Sequence, residues 1–207
     1  MPDPARFWNK VADKYASKPV KDMESYERTL DCTRRHLSAS DEVLEVGCGT
    51  GTTALLLAPS VKQIIARDIS SRMIEIATEK AASQTVENVR FDHATLFDEK
   101  LAKGSFDVVM AFNLLHLFDD LAGAVLRVEE LLRPSGLFVS KTVCLAEQSR
   151  LWSVAVAVMR TLGFAPYVRC LEVAELEGII TGTGFEIIET GFHPPSPPSR
   201  YIVARKS

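Results

Sequence analysis

Residues 43–53, with the sequence VLEVGCGTGTT, decide which fold is expected for this chain. The apolar residues before Gly47 are typical of a buried strand, and residues 50–58, TGTTALLLA, are typical of a helix. Between them, Gly47, Gly49 and Gly51 are each separated by one residue. A strand that turns through glycines into a helix presents free backbone N–H groups and the helix dipole at the carboxyl edge of a sheet, where open α/β sheets bind ligands.

The spacing of these glycines distinguishes between ligands. Glycine loops serve nucleoside triphosphates, dinucleotides and S-adenosylmethionine alike. A triphosphate loop ends in Gly-Lys-Ser/Thr, which this stretch lacks. A dinucleotide loop has the pattern G-x-G-x-x-G, whereas Thr52 stands where its third glycine is required. The pattern here is G-x-G-x-G, which excludes a triphosphate loop and leaves an NAD-dependent oxidoreductase as the less favoured alternative.

Two carboxylates near the loop are candidates for ligand binding. Asp68 ends the second predicted strand, about 20 residues beyond the loop, where an acidic side chain accepts hydrogen bonds from the ribose hydroxyls of an adenosine. The alternative is that Asp68 caps the helix that starts near Ser70, a role that Ser70 itself can fill. Glu45 lies in an apolar strand, where a carboxylate without a partner is costly. We expect Glu45 to face the ligand or to anchor the loop.

Strands and helices alternate along most of the chain. Period-two and continuous apolar runs predict strands at residues 42–47, 62–69, 89–95, 106–112, 137–143, 185–190 and 200–206. Helical spacing predicts helices after the first, second and fourth strands, the last over residues 119–136 with Leu132 on its apolar stripe, and another over 171–184. Parallel strands need crossover connections, so this order implies a parallel sheet with helices on both faces.

A single domain is expected from the length of 207 residues. Residues 1–40 form an N-terminal helical cap, with one helix on the stripe from Trp8 to Tyr15 and a second on the stripe from Tyr26 to Leu37. The other predicted parts are a cofactor-binding core over 41–143, a helical insertion over 144–170, and a C-terminal helix with a strand pair over 171–207.

Composition excludes several classes of partner. The net charge of −3 and the lack of a long Lys/Arg run argue against a nucleic-acid partner. No apolar stretch is long enough for membrane insertion, and the N-terminus lacks the apolar core of a signal peptide. The cysteines have neither metal-ligand nor disulfide spacing, so we expect no metal and reduced thiols; they are Cys32, Cys48, Cys144 and Cys170. The expected protein is a cytoplasmic monomer or homodimer.

Five stretches in chain order resemble the class I S-adenosylmethionine-dependent methyltransferases that act on small molecules. They are LEVGCGTG (44–51), ARDIS (66–70) followed by Met73, GSFDVVMAFNLLHLF (104–118), LLRPSGLFV (131–139) and AELEGIITGTGFEIIE (174–189). The resemblance implies a Rossmann-like three-layer αβα sandwich around a seven-stranded, mostly parallel sheet with an antiparallel last strand. It also implies S-adenosyl-L-methionine as cofactor, S-adenosyl-L-homocysteine as product and a small-molecule acceptor.

The same resemblance implies a set of cofactor-binding residues. They are Tyr15, Glu45, Gly47, Cys48, Gly49, Asp68, Ile69, Met73, Thr95, Leu96, Phe112 and Asn113. In this assignment the glycine loop holds the methionine part of the cofactor, and Glu45 holds its amino group through water or the loop. Asp68 binds the ribose, and the adenine lies between Ile69 and Met73. Tyr15 closes over the cofactor, and Phe112 and Asn113 lie near the sulfonium.

One position departs from the family pattern. Many relatives have Gly-Asp-Ala after the third strand, with the aspartate near the adenine amino group, and the matching residues here are Ala94, Thr95 and Leu96. Thr95 offers adenine only a neutral and weaker partner.

His116, after the fourth strand, is the candidate catalytic base, although a histidine in such a turn often packs or bonds the backbone instead. A base is optional for methyl transfer, because the donor is already activated. Nothing in the sequence excludes a catalytically silent relative that binds the cofactor without turnover.

The insertion is expected to contribute to the acceptor pocket. Its apolar residues are Trp152, Val154, Val156, Val158, Met159 and Phe164, with Glu147 and Tyr167 at its flanks. Such a lining slightly favours an apolar acceptor, although the same residues are equally suited to packing a helix onto the sheet. The fourth strand is followed by Asn-Leu-Leu-His rather than Asp/Asn-Pro-Pro-Tyr, which argues against amino methylation of DNA bases.

Overall fold

The computed structural model describes residues 3–147 and 168–207. Its strands are β1 (Glu42–Val46), β2 (Gln63–Asp68), β3 (Val89–His93), β4 (Phe106–Phe112), β5 (Leu132–Val143), β6 (Phe185–Phe192) and β7 (Ser199–Lys206). They form one seven-stranded sheet in the order β3-β2-β1-β4-β5-β7-β6. The first five strands pair in parallel, and β7 is antiparallel to both β5 and β6. The predicted antiparallel last strand is therefore confirmed.

Helices cover both faces of this sheet. They are α1 (Pro4–Ala16), α2 (Met23–Arg34), α3 (Thr52–Leu57), α4 (Ser71–Ser83), α5 (Leu121–Leu131) and α6 (Val173–Gly182). One apolar cluster joins α2, α3 and α4 to the first face, and a second joins α5 and α6 to the other. The structure thus has the three-layer αβα arrangement that the sequence predicts. No helix in the described ranges is long and apolar enough to span a membrane.

Two predicted helix ends were wrong. The helix predicted to include Leu132 ends at Leu131, and Leu132 instead begins β5 and pairs with Phe106, just before a register irregularity. Leu132 is fully buried in this position, so its apolar side chain fits a strand as well as a helical stripe. Likewise α2 ends at Arg34, and Leu37 packs on the core from a turn beyond the helix. The helical spacing of apolar residues reflects which side chains are buried. Because buried residues continue past the helix end in both places, the spacing predicts helices that are too long.

Helix α1 is held against the start of α4 by both apolar and polar contacts. Ala12 packs with Met73 and Ile76 in a small cluster. The Asn9 side-chain oxygen accepts hydrogen bonds from the Ser70 hydroxyl (2.7 Å) and from the Arg72 backbone N–H (3.2 Å). Arg72 also pairs with the Asp13 carboxylate of α1 at 2.7 Å. These contacts fix α1 beside the carboxyl end of β2.

Gly51 is required for close packing of α3. Its φ is +75°, and a Cβ added there would lie 2.6 Å from the Phe91 ring and 2.7 Å from the Ala77 Cβ. A side chain would therefore push α3 away from β3 and α4. Gly104 has a similar φ of +63°, but the described residues leave the space around its Cβ position open.

Gly51→Ala is expected to destabilise the fold by roughly 2 to 4 kcal/mol, because left-handed strain adds to overpacking. Gly104→Ala, the matched control, pays only the backbone strain, about 1 kcal/mol. Urea unfolding of both variants measures the difference. Equal losses would contradict a packing role for Gly51.

Candidate active site

A cavity of about 490 Å³ opens at the carboxyl ends of β1, β2 and β4, with α1 along one side. This size is within the range of small-molecule sites. The predicted site residues that line it are Tyr15, Gly47, Gly49, Asp68, Ile69, Met73, Thr95, Leu96, Phe112, Asn113 and His116. Glu45 and Cys48 are buried beside the cavity without lining it. Sequence positions up to a hundred residues apart are thus brought together.

The insertion residues predicted for the acceptor pocket lie outside the described residues. They are Trp152, Val154, Val156, Val158, Met159, Phe164 and Tyr167. Glu147 is the last described residue before them, at the end of the short turn Leu145–Glu147.

The glycine loop has one glycine that faces open space. Gly47 and Gly49 both have positive φ, +68° and +54°. A Cβ on Gly47 would lie 2.7 Å from the Leu114 side chain, whereas one on Gly49 would meet nothing within 4 Å in the described part of the chain. Since Gly49 lines the cavity, the space beside it is available for a ligand that approaches the backbone closely.

Asp68 connects this loop to the start of α4. One carboxylate oxygen accepts from the Gly49 backbone N–H (2.9 Å), and the other accepts from the Ser70 N–H (2.8 Å). Ser70 itself caps α4, because its hydroxyl accepts from the Met73 N–H at 3.1 Å. The capping role considered for Asp68 therefore belongs to Ser70. Burial raises the pKa of Asp68.

Lys80 of α4 holds the glycine loop through hydrogen bonds to Thr50 and Thr52, a role that no local sequence pattern indicates. Its ammonium donates to the Thr50 carbonyl (3.1 Å), the Thr50 hydroxyl (3.0 Å) and the Thr52 hydroxyl (3.1 Å). This contact explains why a lysine occurs on the side of α4 that faces the loop. Its methylene chain packs along the helix, while its ammonium group reaches polar atoms of the loop.

Glu45 is an uncharged acid at neutral pH. Its side chain is 2% exposed, and within residues 3–147 and 168–207 its Oε2 atom has no hydrogen-bond partner. Burial, together with the nearby charge of Asp68, raises the pKa of Glu45 to about 8. A protonated carboxyl avoids the large cost of burying an unpaired charge.

Asn113 has an unusual backbone conformation at the cavity wall. Its φ is +54°, a region that asparagine tolerates better than most residues. Its backbone N–H donates to the Lys141 carbonyl at 2.7 Å, which holds the turn after β4 against β5. Strained backbone of this kind often occurs at functional sites.

His116 lies in the short turn Leu115–Leu117 and lines the same cavity. Its Nδ1 atom is buried without a hydrogen-bond partner in the described part of the chain. Burial lowers the pKa of His116 to about 4, so the ring is neutral at pH 7. The His116 carbonyl accepts from the Arg169 N–H (2.7 Å), which ties this turn to the end of the insertion.

Sequence reasoning missed two kinds of cavity residue. Trp8, Phe97 and Phe118 add aromatic walls, with the last two in an edge-to-face contact at 6.3 Å between ring centroids. Arg67 lines the cavity although it is only 4% exposed. A charged residue within the apolar strand before Asp68 was a usable signal for Arg67, whereas nothing in the local sequence distinguishes Phe97. Within the described ranges, no group of three or more His, Cys, Asp or Glu is suited to hold a metal ion.

Several of the known proteins similar to this chain are methyltransferases. The uncharacterized methyltransferase YcgJ of Bacillus subtilis (strain 168) is 32% identical over 136 residues, which are 64% of this chain and 52% of YcgJ. The chain thus spans about half of the length of that relative. A ubiquinone biosynthesis O-methyltransferase of Burkholderia vietnamiensis (strain G4 / LMG 22486) is 26% identical over 199 residues, 91% of this chain and 83% of the relative.

Solved structures share the fold. The YcgJ structure superposes with a TM-score of 0.73 at 21% identity, covering 87% of this chain and 98% of that one. Geranyl diphosphate C-methyltransferase of Streptomyces coelicolor A3(2), solved with Mg²⁺, geranyl diphosphate and S-adenosyl-L-homocysteine, gives a TM-score of 0.74 at 14% identity. It covers 100% of this chain and 98% of its own.

The family model described as Methyltransferase domain matches residues 37–183, which include the glycine loop, Asp68 and the turn after β4. This match decides between the cofactors that the loop alone left open, in favour of S-adenosylmethionine over NAD. The chain belongs to the class I S-adenosylmethionine-dependent methyltransferase family.

Proposed function

We propose that this enzyme transfers the methyl group of S-adenosylmethionine to a small, largely apolar molecule bound in the cavity described above. The observation that carries the proposal is the cavity itself, in which the open side of Gly49 and the Asp68 carboxylate share one space with apolar and aromatic walls. The names of the Burkholderia and Streptomyces relatives both refer to small-molecule reactions.

The described residues fit the cofactor. Bound S-adenosylmethionine supplies a methyl group that its sulfonium already activates. We assign the ribose to Asp68, the methionine part to the backbone of Gly47–Gly49 with Cys48 behind it, and the adenine to the wall of Ile69 and Met73. Thr95 and Leu96 border the adenine, and Tyr15 on α1 borders the cavity mouth. The protein's task is then to align acceptor and donor and to exclude water.

The acceptor is assigned to the side of the cavity beyond Asn113. Leu117, Phe118 and Val143 line the cavity as apolar side chains. These walls support an apolar acceptor independently of the insertion. Phe112 and Asn113, at the end of β4, lie between this region and the glycine loop along the cavity wall.

His116 remains the candidate base. Because burial lowers the pKa of His116 to about 4, the ring has a free lone pair at neutral pH but holds a transferred proton weakly. Such a base suits an acceptor that loses its proton readily and does not suit an alcohol of high pKa.

We also propose a cytoplasmic location and a single domain. Cys32, Cys48, Cys144 and Cys170 form no disulfide within the described ranges, which supports a reducing compartment. Strands from residue 42 to residue 206 share one sheet, which supports one domain composed of cap, core, insertion and C-terminal part. A monomer or homodimer remains the proposed state.

Asp68→Ala is expected to weaken binding of S-adenosylhomocysteine at least about tenfold, because one or more charge-assisted hydrogen bonds are lost. Asp107→Ala is the control, since it removes a carboxylate that accepts a backbone N–H at the opposite end of the sheet, from Glu42 at 2.9 Å, and it is expected to bind normally. Calorimetry measures both. Unchanged affinity in Asp68→Ala would show that the carboxylate serves only the loop backbone.

Cofactor binding is expected to release up to one proton at pH 7. Free Glu45 is protonated there because its pKa is raised to about 8, and the cofactor's ammonium group favours the ionised carboxylate. The release should fade above pH 8, where Glu45 is already ionised, and vanish in Glu45→Gln. Calorimetry in buffers of different ionisation enthalpy counts the protons. Equal heats in all buffers for the wild type would refute the assignment of the cofactor's amino group to Glu45.

The proposed function predicts where a labelled methyl group goes. The protein is incubated with methyl-labelled S-adenosylmethionine and a cell extract separated into nucleic-acid, protein and small-molecule fractions. Label is expected in small molecules that an organic solvent extracts, and Asp68→Ala should give far less. Label confined to nucleic acid or protein would overturn the small-molecule proposal, and binding without any labelled product would indicate a silent relative.

A further inference from the structure

Arg67 lines the cavity, and two of its buried donor atoms make no hydrogen bond within the described ranges. It is the next-to-last residue of β2, so its side chain leaves the sheet on the face opposite to that of Asp68. It is 4% exposed and lines the cavity. Among the described residues, its Nε and Nη1 atoms make no hydrogen bond. Buried donors without partners are costly, and native structures rarely keep them.

The charge of Arg67 is already offset by the protein. Asp98 lies 3.4 Å from Nη1 and Asp92 lies 3.6 Å from Nη2. Arg90 shares the Asp92 carboxylate at 3.0 Å, so two arginines face two aspartates. A ligand group beside Arg67 therefore does not need a negative charge. It needs only lone pairs, since a guanidinium has donors and no acceptor.

The surroundings of Arg67 suit a flat ring. Leu96 and Phe97 from the β3–β4 connection, residues 94–105, line the cavity on one side, and Ile69 and Met73 line it on another. Thr95, at the place where many relatives have an aspartate, uses its hydroxyl to accept the Phe97 N–H at 3.2 Å. That hydroxyl keeps its O–H donor but has no negative charge, so it does not replace the aspartate as a charged acceptor.

We propose that Arg67 recognises the adenine of the cofactor by donating a hydrogen bond from Nε or Nη1 to a ring nitrogen. The inference rests on the proposed placement of the cofactor in this cavity. In many relatives an aspartate accepts from the adenine amino group. Here the Arg67 guanidinium would instead donate to the lone pair of a ring nitrogen. The enzyme then selects the adenine ring through an acceptor atom that a carbon cannot supply.

The test compares S-adenosylhomocysteine with its 1-deaza, 3-deaza and 7-deaza analogues, in each of which one ring nitrogen is replaced by C–H. Calorimetry on the full wild-type chain is expected to show one analogue binding at least about tenfold more weakly than the parent. Arg67→Met should weaken binding of the parent and bind that analogue as well as the parent.

Two further variants keep the test decisive. Arg67→Met combined with Asp98→Asn also removes the carboxylate nearest to Nη1, while Asp92 keeps Arg90, so this double variant should fold and lose the discrimination even if Arg67→Met alone does not fold. Arg90→Met is the matched control, because Arg90 shares Asp92 but lies outside the cavity, and it should discriminate as the wild type does.

Wild-type binding that is equal for all four compounds would overturn the role of Arg67 and leave the proposed function standing. So would discrimination that persists in the Arg67 variants. Failure of the wild type to bind S-adenosylhomocysteine at all would overturn both proposals.

Discussion

The hydrogen bond from the Gly49 N–H to the Asp68 carboxylate is the interaction on which the site depends. It joins the ends of β1 and β2, while the second carboxylate oxygen orients the first turn of α4. Lys80 of α4 donates hydrogen bonds to Thr50 and Thr52, so the loop, β2 and α4 are joined to one another. The protein's own hydrogen bonds therefore hold the loop in the conformation that the cofactor contacts.

Buried polar groups around the cavity follow one electrostatic rule, which is that net charge is avoided. Glu45 is protonated, because burial raises its pKa to about 8, and His116 is neutral, because burial lowers its pKa to about 4. Arg67 keeps its charge beside two aspartates. Each group nevertheless has a polar atom without a partner among the described residues. Two of these groups, His116 and Arg67, line the cavity, where a ligand can contact the side chain.

Much of this architecture follows from local sequence, and the exceptions have physical reasons. The glycine loop, Asp68 and the alternation of strands and helices were predictable because strand, turn and helix signals lie within a few residues of each other. The helix end at Leu131 was not, since burial of Leu132 is compatible with either structure. Phe97 was missed because its importance depends on contacts across loops, which a local pattern does not encode. Arg67 carried a local signal, a charge in an apolar strand, but that signal does not say what the side chain contacts. Lys80 was missed because its hydrogen bonds run from α4 to the loop after β1.

Helix α1 is attached to the rest of the molecule mainly by a small apolar patch around Ala12 and by polar contacts of Asn9 and Asp13. Exposed ion pairs such as Asp13–Arg72 add little stability, so detaching this helix costs far less than unfolding the sheet. Trp8 and Tyr15 on the same helix border the cavity. Whatever these side chains contact in the cavity stabilises the docked helix, and by linkage the docked helix strengthens binding of that ligand by the same free energy.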